Sequence, residues 1–458
     1  MSMYIEDTIA AISTPPGQGG IGIVRVSGPD ARSIGRRLFR FARGDDFASH
    51  HLHYGVITDD AGGDAIDEAM AVLMSAPRSY TREDVLEIHC HGGLLVVERV
   101  LAVVLKAGAR LAEPGEFTRR AFLNGRIDLL EAEAVMDVIT SRSEASLALA
   151  RKQQDGALSR RIGAVRDSLR QALALLEAFI DFPEDDIGTA DTDAIRNYVY
   201  RSCIDIDSLV SRFDEGRIMR DGIAALIVGK PNAGKSSLLN LLLGQQRAIV
   251  THIAGTTRDI IEETASFGGL AVRLLDTAGI RHTDDVVEQE GIDRALECIP
   301  LADLVLFVLD MSRPFDHEDG LILSRLSGKT VLLVCNKSDL VVDTGLPPEL
   351  DAFERCMVSS HTGQGIEELK ARIRSTFLGA GVLDSREFVA ISRARHRDAL
   401  VSARQVLAGF LDGLAGGREL ETLSIDLRDA LDAVGRVTGE TTPDDVLDII
   451  FSSFCIGK

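Results

Sequence analysis

The chain has 458 residues, enough for about three domains of ~150 residues each. Hydrophobic residues make up 45% of the sequence and charged residues 26%, which is typical of globular proteins and excludes a collagen-like or low-complexity chain. The 50 lysines and arginines against 70 aspartates and glutamates give a net charge of −20, which argues against a broad basic platform for nucleic acid but not against a local basic patch or a basic partner subunit.

The cysteines and the N-terminus bear on the cell compartment. Six cysteines are scattered along the chain without a CxxC pair, which argues against a disulfide framework or a zinc ribbon. The opening MSMYIEDTIAAISTPP has no basic n-region, and no run approaches the ~20 apolar residues that span a bilayer. We therefore expect a cytoplasmic protein without a membrane segment.

The first segment, residues 1–122, has the pattern of a mixed α/β domain. IGIVRVSG (21–28) and DVLEIH (84–89) have strand character. The second alternates, with Leu86 and Ile88 on one face and Val85, Glu87 and His89 on the other. A helical segment is predicted around ARSIGRRLFRF (31–41).

Two segments, 123–219 and 379–458, have the pattern of long helices. The first is rich in alanine, leucine, arginine and glutamate, with apolar residues three to four apart. The second turns helical again through stretches such as HRDALVSARQVLAGFLDGL and LSIDLRDALDAVGRV. Pro183 in DFPED must break the first run, because proline disrupts a helix interior. We predict one helical domain built from both segments, with the C-terminal helices packed on the earlier ones.

The segment 220–378 lies between those two and predicts a mostly parallel sheet covered on both faces. Its apolar, β-branched runs are separated by helical stretches, the pattern of a doubly covered α/β domain. The runs are IAALIV (223–228), VRLLD (272–276), DLVLFVLD (303–310) and TVLLVCN (330–336).

The strongest motif lies in this segment and matches GxxxxGK[ST] from Gly229 to Ser236, with a strand before it and a helix after it. Glycines let backbone N–H groups surround phosphate oxygens, and the helix N-terminus adds partial positive charge. Lys235 would reach the β and γ phosphates, and the Ser236 hydroxyl would ligate Mg²⁺. The predicted phosphate-binding residues are Gly229, Asn232, Ala233, Gly234, Lys235, Ser236 and Ser237.

The tetrapeptide Asp276-Thr277-Ala278-Gly279 follows the next apolar strand. An aspartate at a strand end can hold Mg²⁺, usually through water, and the Gly279 N–H can reach the γ phosphate. The motif is weak alone, but it is informative one βαβ unit after a phosphate loop.

Base selection is predicted from Asn336-Lys337-Ser338-Asp339. One carboxylate, that of Asp339, can accept hydrogen bonds from guanine N1–H and the 2-amino group together. Adenine offers no such donor pair and would leave the carboxylate unpaired, so the motif favours GTP over ATP. The stretch SSHTG, which contains Ser359, Ser360 and His361, would brace the base.

The loop between the first helix and the second strand contains Thr251, Thr256 and Thr257. A threonine in this place can complete the Mg²⁺ shell only when the γ phosphate is present, which makes the loop a predicted switch. The simpler alternative is a threonine-rich solvated loop.

Three other patterns are better explained by simple structure. Residues 17–22 match GxGxxG, but TPP precedes them and a strand follows, so a tight turn is favoured over a dinucleotide site. His89, Cys90 and His91 alternate along a strand and should point apart, which argues against a metal site. The histidines of 50–53 indicate a solvated loop.

With these motifs in place, the whole chain resembles the MnmE/TrmE family of tRNA modification GTPases. The resemblance rests on stretches more specific than a phosphate loop. They are DTIAAISTPPGQGGIGIVRVSG, EDVLEIHCHGG, AEPGEFTRRAFLNGRIDLLEAEAV and the terminal FSSFCIGK.

The resemblance implies an α/β multidomain fold. It consists of an N-terminal α/β folate-binding and dimerisation domain, a discontinuous helical domain and an inserted Ras-like P-loop G domain. It also implies a homodimer that forms a hetero-oligomer with an FAD-dependent flavoprotein, MnmG (GidA). Together the two would convert C5 of the wobble uridine of certain tRNAs to a (carboxymethyl)aminomethyl derivative. The one-carbon unit would come from a tetrahydrofolate derivative, such as the 5-formyl or 5,10-methylene form.

The resemblance places folate contacts on Arg25, Glu87, Arg126 and Lys458. A physical argument supports Glu87, because a pterin presents a ring N–H beside a 2-amino group, a donor pair that one carboxylate can accept. The family pattern has lysine where this chain has Arg126, and the two cations are not interchangeable. Cys455 suggests thiol chemistry, although a small packed side chain explains it equally well.

The resemblance also bears on GTP hydrolysis. Ras-like proteins place a water-orienting glutamine after this tetrapeptide, but here the residue is Ile280, which has no polar group. The resemblance points instead to Glu288 as the catalytic residue, acting through water. It also implies a K⁺ ion that neutralises charge between the β and γ phosphates when two G domains meet. Its ligands would be Asn232, Thr251, Ile253 and Thr256.

A second function remains open at this point. A GTP-switched factor for RNA or ribosome assembly would use its N-terminal domain only for recruitment. The C-terminal sequence has no obvious basic RNA-binding module, which disfavours this alternative.

Overall fold

The computed structural model describes most of the chain as two compact units. The first comprises Met1–Met136, Gln154–Ser202 and Ser402–Lys458, and the second comprises Asp137–Gln153 and Cys203–Val401. The four predicted segments, with boundaries at 122, 219 and 378, remain a proposal about domains. The described residues are 7–59, 63–181, 189–244, 262–275, 298–340, 346–379 and 388–458.

The first unit contains a seven-stranded sheet with the order β3-β4-β5-β6-β2-β1-β7. Its neighbours pair antiparallel except β1 and β7, which pair parallel. Both predicted strands are confirmed, as β2 and β6, and the Leu86 and Ile88 side chains are fully buried as the alternation requires. The strands are β1 Ile9–Ile12, β2 Gly19–Ser27, β3 Phe39–Phe41, β4 Leu52–Thr58, β5 Ala65–Met74, β6 Val85–Gly92 and β7 Arg110–Leu111.

The predicted helix over 31–41 was too long. Helix α1 covers Ala31–Leu38, and the next three residues form strand β3 on the edge of the sheet. The reason is a change of period, because Phe39 and Phe41 flank an outward Arg40 and pack in one aromatic cluster. Helix α2, Leu94–Lys106, packs on the strands of the same sheet.

The helices of the first unit confirm the predicted packing between distant segments. Helix α6, Ala157–Asp181, packs along helix α13, Leu420–Thr438, and an ion pair of 2.7 Å joins Glu177 to Arg428. Helix α6 ends at Asp181, just before the DFPED proline, which lies outside the described residues. Helices α3 Glu116–Leu123 and α14 Asp444–Ser452 also belong to the first unit, and α5 Glu144–Gln154 belongs almost entirely to the second. Three helices include residues of both units: α4 Leu129–Thr140, α7 Thr189–Ser211 and α12 Ala394–Ala415.

The second unit contains a six-stranded sheet with the order β13-β12-β11-β8-β10-β9, parallel except for the β9–β10 hairpin. Each of the four predicted strands is present. Apolar clusters cover both faces, one with Leu238 and Leu369, the other with Ile322 and Leu326, so the doubly covered sheet is confirmed. The strands are β8 Ile223–Gly229, β9 Glu262–Phe267, β10 Leu270–Leu275, β11 Leu304–Asp310, β12 Val331–Asn336 and β13 Glu354–Met357; the helices are α8 Phe213–Asp221, α9 Lys235–Leu243, α10 His317–Ser324 and α11 Ile366–Phe377.

The length and hydropathy of the helices bear on membrane crossing. Within the described ranges, no helix combines the length and the apolar character that a bilayer span requires.

Candidate functional sites

The phosphate loop joins the buried strand β8 to helix α9 in the second unit. Its shape depends on backbone that side chains disfavour, since φ is 155° at Gly229, 61° at Asn232 and 93° at Gly234. A Cβ on Gly229 would lie 2.4 Å from the Val308 carbonyl oxygen, and one on Gly234 would lie 2.2 Å from Asn336 Nδ2. Only glycine therefore fits at these two positions of the motif.

Lys235 begins helix α9 and folds back over the loop. Its Nζ donates to the carbonyl oxygens of Gly229, at 2.9 Å, and Lys230, at 2.7 Å. The ammonium is thus held inside the loop, where it can meet a phosphate group. Ala233 is buried, while Ser236 and Ser237 lie exposed in the first turn of α9. A hydroxyl there is accessible to a magnesium ion beside the phosphates.

Asn336 ties the base-recognition segment to the phosphate loop. Its side chain is almost completely buried, and its Nδ2 donates to the Ala233 carbonyl oxygen at 2.7 Å. Its Oδ1 accepts from the backbone N–H and the hydroxyl of Ser360, at 2.9 and 2.8 Å. Three sequence-distant loops therefore meet on one amide.

Asp339 is exposed and ready to accept hydrogen bonds. A hydrogen bond from the Ser359 hydroxyl holds the pKa of Asp339 below its usual value, and the nearby charges of His361 and Lys337 act in the same direction. The structure therefore brings together the Asp339 and Ser359 segments that the sequence assigned to the base, and the carboxylate stays ionised there.

Part of the predicted nucleotide site lies outside the described residues. These positions include the switch loop, the DTAG tetrapeptide and the catalytic glutamate, and their roles remain predictions. They are Thr251, Ile253, Thr256, Thr257, Asp276, Thr277, Ala278, Gly279 and Glu288.

A second candidate site lies in the first unit, where Arg25 on β2 stands directly opposite Glu87 on β6. The Arg25 Nε donates to Glu87 Oε1 at 2.9 Å, and Nη2 lies 2.8 Å from the same oxygen. The other carboxylate oxygen lies 3.3 Å from His89 Nε2. The hydrogen bond to His89 lowers the pKa of Glu87, burial raises it, and the charge and hydrogen bond of Arg25 lower it. The net result is a pKa below the usual value.

The C-terminal tail reaches this pair from the far end of the chain. The Gly457 carbonyl oxygen accepts from Arg25 Nη1 at 3.0 Å and from the Ser13 hydroxyl at 3.2 Å. Gly457 has φ of 91°, and a Cβ there would lie 2.4 Å from the Ile12 carbonyl oxygen. The tail is therefore fitted closely against β1.

Lys458 belongs to the same cluster. Burial lowers the pKa of the Lys458 ammonium, and the Arg25 charge lowers it further, while Cys455 and Glu87 oppose the shift. Cys455 itself is exposed, and its carbonyl oxygen accepts from the Gly115 N–H at 3.4 Å. These contacts do not bear on thiol chemistry, which stays a prediction.

Arg126 approaches the cluster through Tyr80. Its guanidinium lies 5.2 Å from the centre of the Tyr80 ring and donates to the Ser79 carbonyl oxygen. Burial raises the pKa of Tyr80, while Arg25 and Arg126 both oppose that shift, so the two cations face one phenol. The Arg25 charge acts on both Tyr80 and Lys458, and Arg126 contacts Tyr80, so these side chains interact electrostatically; their role in folate binding stays a prediction.

Three residues at these sites were not predicted for the roles they have here. Tyr80 belongs to no predicted motif, nor does Asp310, whose carboxylate lies 2.6 Å from the Lys337 ammonium. His89 was considered only as a metal ligand. Tyr80 lies in a turn-rich stretch without periodicity, so only its contact with Arg126 identifies it. Asp310 ends a predicted strand, and aspartates at strand ends are common candidates for polar contacts near a parallel sheet's carboxyl edge.

Two family models match the chain, side by side. The model described as the GTP-binding protein TrmE N-terminus matches residues 8–126, and the model described as the MnmE helical domain matches residues 129–455. The second alone covers more than half of the chain.

Full-length relatives carry one name. A protein of Geobacter sulfurreducens named tRNA modification GTPase MnmE is 61% identical over 456 residues, with 100% of both chains covered. A protein of the same name from Chloroflexus aurantiacus is 47% identical over 460 residues, with 99% of this chain and 100% of that protein covered.

Solved structures resemble smaller parts of the chain. The G domain of the Thermotoga maritima FeoB iron transporter is 26% identical over 33% of this chain and 96% of its own, with a TM-score of 0.25. Aquifex aeolicus Era is 26% identical over 40% of this chain and 66% of its own, with a TM-score of 0.26. These TM-scores are too low to support an argument about function.

Proposed function

The chain belongs to the MnmE/TrmE family of tRNA modification GTPases, and on that premise we propose the reaction in which its GTPase activity takes part. The protein would act with an FAD-dependent partner of the MnmG (GidA) type on C5 of the wobble uridine of certain tRNAs. A tetrahydrofolate derivative would supply the one-carbon unit for a (carboxymethyl)aminomethyl group. A homodimer in the cytoplasm, joined to the flavoprotein as a hetero-oligomer, would be the working form.

The observation that carries this proposal is the cluster of Arg25, Glu87, Arg126 and Lys458 in the first unit. Glu87 is ionised and half-buried, so it is the kind of acceptor that the paired N–H donors of a pterin require, and binding would exchange part of its contact with Arg25 for the pterin. The cations around it suit the carboxylates of a folate glutamate tail. The GTPase activity itself needs no such cluster outside the nucleotide site, and a folate ligand would give these charged side chains a role.

The second unit supplies the nucleotide chemistry. The phosphate loop and the helix N-terminus of α9 would hold the phosphates, with Lys235 between them and Asp339 at the guanine edge. Ser236 and Thr257 would hold Mg²⁺, which neutralises the phosphate oxygens. The exposed hydroxyl of Ser236 in the first turn of α9 fits this role.

We further propose that K⁺ assists hydrolysis, with Asn232, Thr251, Ile253 and Thr256 as its ligands and Glu288 positioning the attacking water. Asn232 lies exposed in the phosphate loop in a left-handed conformation, which is compatible with an ion ligand beside the phosphates. The ion would supply the charge that an arginine finger supplies in other GTPases.

The potassium proposal predicts a specific salt response. Replacing KCl by NaCl should slow GTP hydrolysis by roughly a hundredfold, the order of effect of removing one electrostatic donor. Asn232→Ala should remove the difference between the two salts, and Glu288→Ala should lower kcat with little change in GTP affinity. Equal turnover of the wild-type chain in both salts would refute the cation, and an unimpaired Glu288→Ala variant would refute the glutamate.

The proposed reaction is tested by analysing tRNA nucleosides from cells that lack this chain. The C5-modified wobble uridine should disappear and return with the wild-type gene. It should not return with Lys235→Ala, which disables the nucleotide site, or with Glu87→Ala, which disables the folate cluster. Unchanged wobble uridines together with accumulated ribosomal precursors would support the assembly-factor alternative instead.

A further inference from the structure

One short segment of the second unit contacts both loops of the nucleotide site. It runs from Asp310, the last residue of β11, to Asp319 in the first turn of helix α10. At its start, the Asp310 carboxylate lies 2.6 Å from the Lys337 ammonium, the second residue of the NKSD motif. The Asp310 side chain is only 8% exposed, so this ion pair is shielded from water on the carboxylate side.

Asp310 is itself held in place. Its Oδ1 accepts from the backbone N–H of Ser312 at 2.9 Å and from the Ser312 hydroxyl at 2.6 Å. Burial raises the pKa of Asp310, but the hydrogen bonds from Lys337 and Ser312 outweigh it and leave the pKa below its usual value. The group is therefore a fixed anion whose other oxygen points at one lysine.

Lys337 needs such an anchor. Its φ of 60° is the left-handed conformation that side chains disfavour, and its side chain is about one-third exposed. A lysine stem of four methylenes has many rotamers, and ordering them has an entropic cost. Fixing the ammonium at Asp310 fixes the direction of the stem beside the base-reading Asp339.

The other end of the segment holds the phosphate loop. The Lys230 ammonium lies 2.7 Å from Asp316 and 2.8 Å from Asp319, whose side chain is 5% exposed. Asp316 also caps helix α10 by accepting from the backbone N–H groups of Glu318 and Asp319. The segment therefore contacts one lysine of the nucleotide site at each end.

We propose that Asp310 is a positioning residue for nucleotide binding, which holds the Lys337 side chain in one direction beside Asp339 at the guanine edge. The 310–319 segment then joins base recognition to the phosphate loop through two independent lysine contacts. This inference rests on the proposed nucleotide site, because it takes Asp339 as the residue at the guanine edge.

The test is a double-mutant cycle on nucleotide release from the full chain. Asp310→Asn and Lys337→Met should each speed the release of a fluorescent GDP and raise its Kd by about tenfold, a change of ~1.4 kcal/mol. The double variant should release GDP no faster than the Lys337→Met variant alone, since residues that act through one contact are not additive. The kcat at saturating GTP should stay within about twofold for Asp310→Asn, because an ordered base changes binding more than chemistry.

A matched control is available on the same segment. Asp316→Asn removes one of the two carboxylates that contact Lys230 and leaves the Asp310–Lys337 pair intact. Its effect on GDP release should therefore add to that of Lys337→Met. A merely structural role of Asp310 would give additive effects in the cycle, and unchanged GDP release in Asp310→Asn would overturn the proposal directly.

Ser312→Ala provides a milder variant should Asp310→Asn fail to fold. It removes one anchor of the carboxylate without changing charge, and it should speed GDP release by about two- to threefold in the wild-type background and not at all beside Lys337→Met. An equal effect in both backgrounds would overturn the proposal. Asp339→Asn distinguishes failure of the nucleotide-site assignment from failure of the positioning role. If Asp339→Asn leaves the preference for GTP unchanged, the nucleotide site is misplaced. If Asp339→Asn changes the preference but Asp310→Asn releases GDP at the wild-type rate, only the positioning role of Asp310 is refuted.

Discussion

The nucleotide site of the second unit and the proposed folate cluster of the first are constructed from different parts of the polypeptide. The nucleotide site is largely backbone, with Gly229 and Gly234 placed where a Cβ would collide with neighbouring atoms. The cluster is made of charged side chains, and one of them, Arg25, donates to the carbonyl oxygen of Gly457, which is 432 residues away. A site of the first kind depends on loop conformation, and one of the second kind depends on long-range packing.

The packing that brings the tail to Arg25 is apolar. Leu129 and Ala132 of helix α4 form one buried cluster with Leu447, Phe451 and Phe454 at the C-terminus. Burying leucine and phenylalanine side chains such as these is worth ~1.5–3 kcal/mol each, so the cluster stabilises the packing of the C-terminal residues on helix α4. The difference between the two sites therefore predicts that substitutions will act on one site without the other.

The largest expected effect is a change of base preference at the nucleotide site. Asp339→Asn replaces two acceptor oxygens with an amide that can donate to O2 of xanthine, so preference should move from GTP toward XTP by at least about 100-fold. Folate binding should not change, because the two sites are separate. Competition between GTP and XTP for the variant measures the change in base preference. A variant that prefers GTP by the wild-type margin would show that the base-recognition loop lies elsewhere.

A backbone substitution at the folate cluster should have an intermediate effect. Gly457→Ala places a Cβ 2.4 Å from the Ile12 carbonyl oxygen at a φ of 91°, so the tail must move and Arg25 loses an acceptor. Affinity for 5-formyltetrahydrofolate should fall by about tenfold, the loss of ~1.4 kcal/mol, while GTP hydrolysis stays constant.

The control for that variant is Gly409→Ala, since a Cβ on this glycine of helix α12 meets open space. It should leave both activities at wild-type levels. If Gly457→Ala binds folate as tightly as Gly409→Ala, the tail is not part of the site.

The smallest effect is expected where this chain departs from the family pattern. Arg126→Lys keeps the positive charge but loses the planar group that lies over Tyr80, a contact worth ~0.5–1 kcal/mol at an exposed site. Folate affinity should therefore fall by no more than about fivefold. The folate affinity of Arg126→Ala, titrated in parallel, should fall further than that of Arg126→Lys. Identical losses of affinity in the two variants would mean that the charge has no role.

The two sites also differed in how far they could be predicted from residues alone. The phosphate loop and the Asp339 segment follow local rules of glycine conformation and hydrogen-bond donors. Sequence spacing was therefore sufficient to predict where these two loops lie in the fold. The folate cluster was reached only through the family resemblance, because nothing local links Arg25 to a residue at the other end of the chain. Tyr80 was missed for the same reason.

Local pattern also failed in small ways within the fold. The helix predicted over 31–41 ends at Leu38, because aromatic residues at alternating positions joined an edge strand instead. The pair of Asp310 and Lys337 joins residues 27 apart on neighbouring strand ends, and neither residue type identifies the other. Sheet topology brings them together, so the pair can be recognised only once the strand order is known.

The measurement that tests the account most directly is the binding of 5-formyltetrahydrofolate to the full chain by calorimetry, with Glu87→Gln and Glu87→Ala beside the wild type. Glutamine keeps the size of Glu87 but replaces one acceptor with a donor, so both variants should lose at least about tenfold in folate affinity, as expected when a charged acceptor is lost. Both should hydrolyse GTP at the wild-type rate. Undetectable folate binding by the wild-type chain, or undiminished binding by both variants, would contradict the assignment of the cluster.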